Sequence, residues 1–174
     1  MSAPRLTRAD IDRLFRRLDV ELAGANVNGE IYVVGGAVMC MVHRARESTR
    51  DVDAVFEPVG TLRAAAARVA ADSGLPENWL NDAVKGFFSE HGTFGVYVEL
   101  EHLTVYAADP RYLLAMKCLS ARIGEEFHDI DDIRYLLRYL NVASADEAKE
   151  VIGRYYPLER FPQKTLHLLE ELLP

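Results

Sequence analysis

Cysteine is scarce in this chain, and so are long apolar runs and positive charge. The two cysteines, Cys40 and Cys118, lie in apolar segments (VMCMV and MKCLS) and read as small buried hydrophobes, not as a disulfide framework. No apolar run approaches the ~20 residues that a membrane-spanning helix needs. No signal peptide precedes the first helix, so a reduced cytoplasmic protein with no membrane association is expected. Acidic residues outnumber basic ones by 27 to 20, a formal charge of -7. That balance excludes a global field drawing the chain to nucleic acid or anionic lipid, although a local basic patch would suffice for either. There is no repeat, low-complexity tract or linker. What remains is ordinary for a globular chain: 49% apolar residues, a mean hydropathy of -0.06 and enough length in 174 residues to bury a core without staples.

Periodicity predicts an α+β fold: a small mixed β-sheet with flanking helices, then a C-terminal helical tail. A single domain, 1–174, is expected, with a sheet-containing core over about 25–108 and a helical part over about 109–174. Thr7 caps a helix carrying Ile11, Leu14, Phe15, Leu18 and Leu22 at helical spacing, with Gly24 as its stop. Glu30 to Val34 reads as a strand, Ala37 to Arg44 as a short helix and Val52 to Phe56 as a strand ended by Pro58. Alanine-rich Thr61 to Asp72 reads as a helix closed by Gly74 and Pro76, and Trp79 to Val84 as a further short helix. Phe94 to Glu101 and Leu103 to Tyr106 form a meander or hairpin. Beyond them only helices are expected: Pro110 to Ile123 behind the cap Asp109, Asp129 to Leu140, one opened by the Ser144/Glu147 capping box, and Gln163 to Leu173.

The chemistry-bearing residues follow the first sheet strand. Ile31-Tyr-Val-Val runs into Gly35-Gly36, and after a helix-length gap Thr49-Arg-Asp51-Val-Asp53 opens a second strand. Successive strand side chains alternate faces, so Asp51 and Asp53 point the same way. Two co-facial carboxylates form half of an oxygen cage for a hard cation, Mg²⁺ or Mn²⁺, leaving positions open for substrate phosphates. The glycines permit close approach of a phosphate, and the helix behind them offers N–H groups to an anion. Glycine turn and carboxylates together point to chemistry on a nucleoside triphosphate. Arg46 and Arg50, with Arg44, bracket the carboxylates as candidate phosphate contacts. Arg13, Arg16 and Arg17 on the first helix read more simply as a solvated face paired with Asp10, Asp12 and Asp19. Lys117, in the apolar run Leu113-Leu-Ala-Met-Lys117-Cys-Leu-Ser-Ala-Arg122, either meets an anion or snorkels from a helix edge.

In this order the motifs resemble the signature of the nucleotidyltransferase fold shared by DNA polymerase β and many minimal nucleotidyltransferases. Gly35-Gly36 and Arg46-x-x-Thr49-x-Asp51-x-Asp53 carry that resemblance. The lysine run followed by Asp129-Ile-Asp-Asp132-Ile is similar to the AbiEii-like branch, which includes toxins of bacterial toxin–antitoxin systems. The resemblance covers about Ile31 to Leu140. It implies triphosphate contacts at Gly35, Gly36 and Thr49, metal at Asp51 and Asp53, phosphate neutralisation by Lys117, and a catalytic acid at Asp129 or Asp132. The wider fold family adds a third acid on a later strand, a form matched by Val98-Glu99-Leu100, so Glu99 is either a third metal ligand or an exposed residue of an alternating strand. Asp129, Asp131 and Asp132 equally suit a helix start on dipole grounds alone, and His128 beside them reads as structural. Many members carry Gly-Ser where this chain has Gly-Gly.

The resulting expectation is a metal-dependent nucleotidyltransferase. It takes an NTP and passes a nucleoside monophosphate to a tRNA 3′ end or a protein hydroxyl, with a toxin role and a cognate antitoxin as partner. The alternative is a domain of the same fold that senses nucleotide or binds a partner without turnover.

Overall fold

A computed structural model of the chain describes residues 4–121 and 128–174. Contact density divides the chain into two compact units. One comprises 1–86 and 94–108, the other 87–93 and 109–174.

The first unit holds a five-stranded mixed sheet. Its elements run in the order β1 (Leu6–Thr7), α1 (Arg8–Gly24), β2 (Gly29–Val34), α2 (Gly36–Met41), β3 (Ser48–Thr49), β4 (Val52–Glu57), α3 (Val59–Ser73), β5 (Leu80–Asn81), β6 (Phe94–Glu99) and β7 (Leu103–Ala108). Strand order is β5-β4-β2-β7-β6, with β2/β7 and β4/β5 parallel and the other pairs antiparallel. Ile31 and Val33 on β2 face the same side as Ala54, Phe56, Val105 and Ala107 on its neighbours, and all are buried. Helices α1 and α3 pack against each other and against the sheet, putting Leu14, Phe15, Leu18, Leu62, Ala65 and Val69 into the same core. Burying a Leu, Val or Phe side chain contributes roughly 1.5–3 kcal/mol, so this face sets the register of the sheet. The opposite face alternates to half-exposed residues: Tyr32, Val55, Thr104 and Tyr106. There Tyr32 stacks on Tyr106 at 4.7 Å between ring centroids and meets Phe94 edge-on.

The second unit, among its described residues, is helical: α4 (Pro110–Ser120), α5 (Asp129–Tyr139), α6 (Ala145–Gly153) and α7 (Gln163–Leu172). Every residue from Tyr112 to Cys118 is buried, because α4 packs against α5, α6 and α7. A helix with no polar face belongs inside a bundle. The segment 87–93 is tied to this unit by side chains: Tyr156 donates to the Phe87 carbonyl, and Ser89 N–H donates to the Tyr112 hydroxyl at 2.9 Å.

The caps follow the expected chemistry. Thr7 and Asp10 form a capping box on α1, Asp109 caps α4 with Pro110 behind it, and Ser144 caps α6. Two expectations need correction. The helix expected over Ala37 to Arg44 is shorter, because Arg44 adopts φ 54, which no right-handed helix accommodates. The helix expected over Trp79 to Val84 is a 3₁₀ turn (Glu77–Trp79) followed by β5. Trp79 is buried with its indole N–H on the Ala66 carbonyl at 3.0 Å, and that anchor to α3 lays Leu80 and Asn81 along β4. The short strands β1 and β3 pair with each other, Leu6 with Thr49 and Thr7 with Ser48. The helix from Pro110 is described to Ser120; Arg122 and Ile123 lie outside the described residues. Among the described residues no helix is long and apolar enough to cross a membrane.

Candidate functional site

The end of β2 delivers Gly35 with φ 70 and ψ -152, a backbone region open essentially to glycine alone. A Cβ built there would lie 3.3 Å from Asp53 Oδ2, so the turn passes directly beside the first carboxylate. Gly36 approaches its neighbours still more closely: a Cβ on it would lie 2.7 Å from Arg46 Nη1 and 3.4 Å from Thr49 Oγ1. Gly35 is thus required by its backbone conformation, while Gly36 lets an arginine and a hydroxyl approach the turn closely. Thr49 is buried and its hydroxyl donates to the Asp51 carbonyl at 3.3 Å. Strand β1 secures this corner, with the Arg5 guanidinium reinforcing it on Ser48 Oγ at 2.8 Å and on the Ser48 carbonyl.

Asp51 immediately precedes β4, Val52 is fully buried, and Asp53 pairs with Val34 at the end of β2. The alternation expected for the two carboxylates is thus present in the burial pattern. Burial pushes the Asp51 carboxyl above its ordinary value; a donor from the Asn81 side chain and the charge of Arg50 oppose that shift. Asn81 itself stands on β5 directly beside Asp53. No feature of the sequence singled it out, because its place depends on a two-residue strand that looked helical.

A divalent cation is tested against this donor set. Among the described residues no three of His, Cys, Asp or Glu converge as a ready cage. Mg²⁺ does not require one: it is held by one or two carboxylates and fills its remaining positions with water and substrate phosphate oxygens. Asp51 and Asp53 beside a glycine turn and an arginine fit that pattern.

The other expected site residues are distributed as follows. Glu99 pairs with Thr104, which pairs with Glu30, which pairs with Glu57, whereas Asp53 lies in the row of Val34. That is four residues along β2, roughly 13 Å, and three strand spacings across, about 14 Å. Glu99 as a metal ligand is therefore corrected. It lines a groove of about 770 Å³ at the other end of the sheet with Glu30, Glu57, Glu101 and His102. Arg50 is exposed at the carboxylates, and Arg44 is exposed on the preceding turn. On α1, Arg13 pairs with Asp10, and Arg17 reaches Asp72 at 2.9 Å; Asp12 and Asp19 serve instead as acceptors for Tyr97 and the His102 N–H.

Within the helical unit, Lys117 is buried and held by two carboxylates, Asp132 Oδ2 at 2.8 Å and Asp129 Oδ1 at 3.4 Å. Asp129 and Asp132, three residues apart, share the helix face that meets α4, while Asp131 is exposed. His128 is exposed and makes no side-chain cap. The lysine does not snorkel; its charge is answered inside the bundle.

No protein-family model, curated protein or solved structure matches this chain.

Proposed function

We propose that the chain is a metal-dependent nucleotidyltransferase acting at the Gly35–Asp53 site. The observation that carries this reading is the convergence of Gly35, Gly36, Arg46, Thr49 and Asp53 within contact distance, with Asp51 beside them. In this reading the glycine turn admits the triphosphate, the Arg46 guanidinium donates to its oxygens, and the Thr49 hydroxyl does so on turning from the Asp51 carbonyl. Asp51 and Asp53 hold Mg²⁺ or Mn²⁺, which when bound neutralises charge on the triphosphate and the departing pyrophosphate. The acceptor oxygen forms a bond to the α-phosphorus, the bond to the β-phosphate bridge breaks, and the acceptor proton passes to solvent. The acceptor class is a tRNA 3′ end or a protein hydroxyl, and a toxin countered by an antitoxin is the biological setting this chemistry suits. Incubation with each labelled NTP, Mg²⁺ and total RNA or protein tests the reading. Transfer by wild type that disappears in the Asp51→Ala/Asp53→Ala variant is expected; absence of transfer, or transfer undiminished in that variant, overturns it.

A second reading is favoured by one observation, the distance of Glu99 from Asp51 and Asp53. A domain that binds nucleotide or a partner without turnover needs no third acid. It predicts that Mg²⁺·NTP raises the thermal midpoint by mass action while no labelled product forms.

A further inference from the structure

The face of the sheet that carries Asp53 also carries an aromatic ladder. Row by row across β4, β2 and β7, Asp53 lies opposite Val34, Val55 lies opposite Tyr32 and then Tyr106, and Glu57 lies opposite Glu30 and then Thr104. The rings of Tyr32 and Tyr106 have centroids 4.7 Å apart and planes only 7° from parallel. Coplanar rings cannot come that close, so the two stand face to face across the strands, and the second face of Tyr32 looks over Val55. Phe94 meets Tyr32 edge-on at 5.2 Å, and the Tyr32 hydroxyl donates to Glu30 at 2.7 Å, so the ring is held in place before any ligand arrives. Tyr32 and Val55 are both half-exposed, and among the described residues no strand flanks Val55 on its outer side, because β5 pairs with β4 only at Val52 and Asp53. A flat slot therefore opens above Val55, walled by Tyr32. Val55 stands two residues along β4 from Asp53, about 7 Å, the span of a ribose between phosphate and base. Charge gives the slot a direction: Arg46 lies at the glycine turn, while Glu30 and Glu57 face each other at the far end, where phosphate is repelled.

We propose that the ring of Tyr32 is the stacking surface for the nucleobase of the NTP whose phosphates lie at Gly35, Gly36 and Asp53. This rests on the reading of that site given above. The ligand class is a planar base joined to a triphosphate; every base has a π-face, so the stack by itself reads none of the hydrogen-bonding edges. Loss of one base–aromatic stack weakens binding by roughly 5- to 150-fold.

The test is isothermal titration of the full chain with each of the four Mg²⁺·NTPs and with Mg²⁺·tripolyphosphate, which has the phosphates and no base. Tyr32→Ala removes the stacking surface, and Val55→Phe fills the slot with a ring of the protein's own. Both variants are expected to bind the NTP that wild type binds most tightly about 10-fold more weakly, and to bind tripolyphosphate as wild type does. If Tyr32→Ala fails to fold, Val55→Phe carries the test, since position 55 is half-exposed and a strand accepts an aromatic residue there. A tyrosine that only braces the sheet would, when removed, weaken NTP and tripolyphosphate alike. An unchanged ratio of the two affinities in Val55→Phe overturns the inference while the phosphate site stands. If wild type binds neither an NTP nor tripolyphosphate, the reading of the Gly35–Asp53 site is itself overturned and the inference with it.

Discussion

Gly35 and Gly36 are adjacent, yet the structure gives them different tasks, and alanine at each position separates stability from ligand binding. At Gly36 an added methyl would sit 2.7 Å from Arg46 Nη1. Non-bonded heavy atoms normally rest about 3.5–4.0 Å apart, so the guanidinium must retreat by roughly 1 Å. That retreat moves a hydrogen bond out of its useful range. A hydrogen bond to a charged group contributes about 1.5–3 kcal/mol, which corresponds to roughly 10- to 100-fold in Kd. The displaced atom ends a flexible side chain, and alanine favours a helix over glycine by about 0.5–1 kcal/mol, so the net stability change is small. Gly36→Ala is therefore expected to melt within about 2 °C of wild type while binding Mg²⁺·NTP ~10- to 100-fold more weakly. Gly35→Ala behaves differently. Its φ of 70 with ψ -152 imposes about 1–3 kcal/mol of strain on any side chain, lowering the midpoint by roughly 2–12 °C. Calorimetric melting of both variants, paired with isothermal titration of each of the four NTPs, reads the two effects. If Gly36→Ala binds nucleotide as wild type does, or loses as much stability as Gly35→Ala, the role given to Arg46 at the turn is refuted.

Lys117→Met strands Asp129 and Asp132 in the helical interior and is expected to cost about 3–5 kcal/mol, read as a large drop in denaturation midpoint; unchanged stability with lost NTP affinity would instead make the lysine a phosphate ligand. Asp51 has a folded pKa raised by burial from 3.8, so its contribution to stability is present below that pH and is lost as pH rises through the folded value. Asp51→Asn should accordingly melt higher than wild type at pH 7 without metal, and the gain should vanish in melts below about pH 4; a gain independent of pH would contradict the burial argument. Glu99→Gln should leave Mn²⁺ binding unchanged in a spectroscopic titration, since Glu99 lines the groove at the other end of the sheet, and a tenfold loss would return it to the metal site.

Much of the local structure was legible from residue pattern. The Thr7, Asp109 and Ser144 caps, the helical spacing of Ile11 to Leu22 and the alternation of Val52, Ala54 and Phe56 all depend on near neighbours in the chain. The glycine pair and the two aspartates were legible for the same reason. Leu80 and Asn81 were not, because a two-residue strand has no periodicity and exists only where Trp79 anchors it to α3. Glu99 was misplaced because its flanking apolar residues describe a strand and say nothing of which end of the sheet it reaches. The β6 bulge at Tyr97 adds a residue that alternation alone does not reveal, and it turns that tyrosine to Asp12 on α1.

By itself, then, the sequence determined the α+β class, the position of the glycine turn and the co-facial disposition of Asp51 and Asp53. Tertiary structure alone decided which groups join them: Arg46, Thr49 and Asn81 enter, Glu99 does not, and Lys117 is answered by Asp129 and Asp132 inside the helical unit. The physical reason is the range of the forces involved. Caps, turns and face alternation are set by interactions a few residues apart, whereas strand order and register follow from burying Ile31, Val33, Phe56 and Val105 together, a choice made by the whole core.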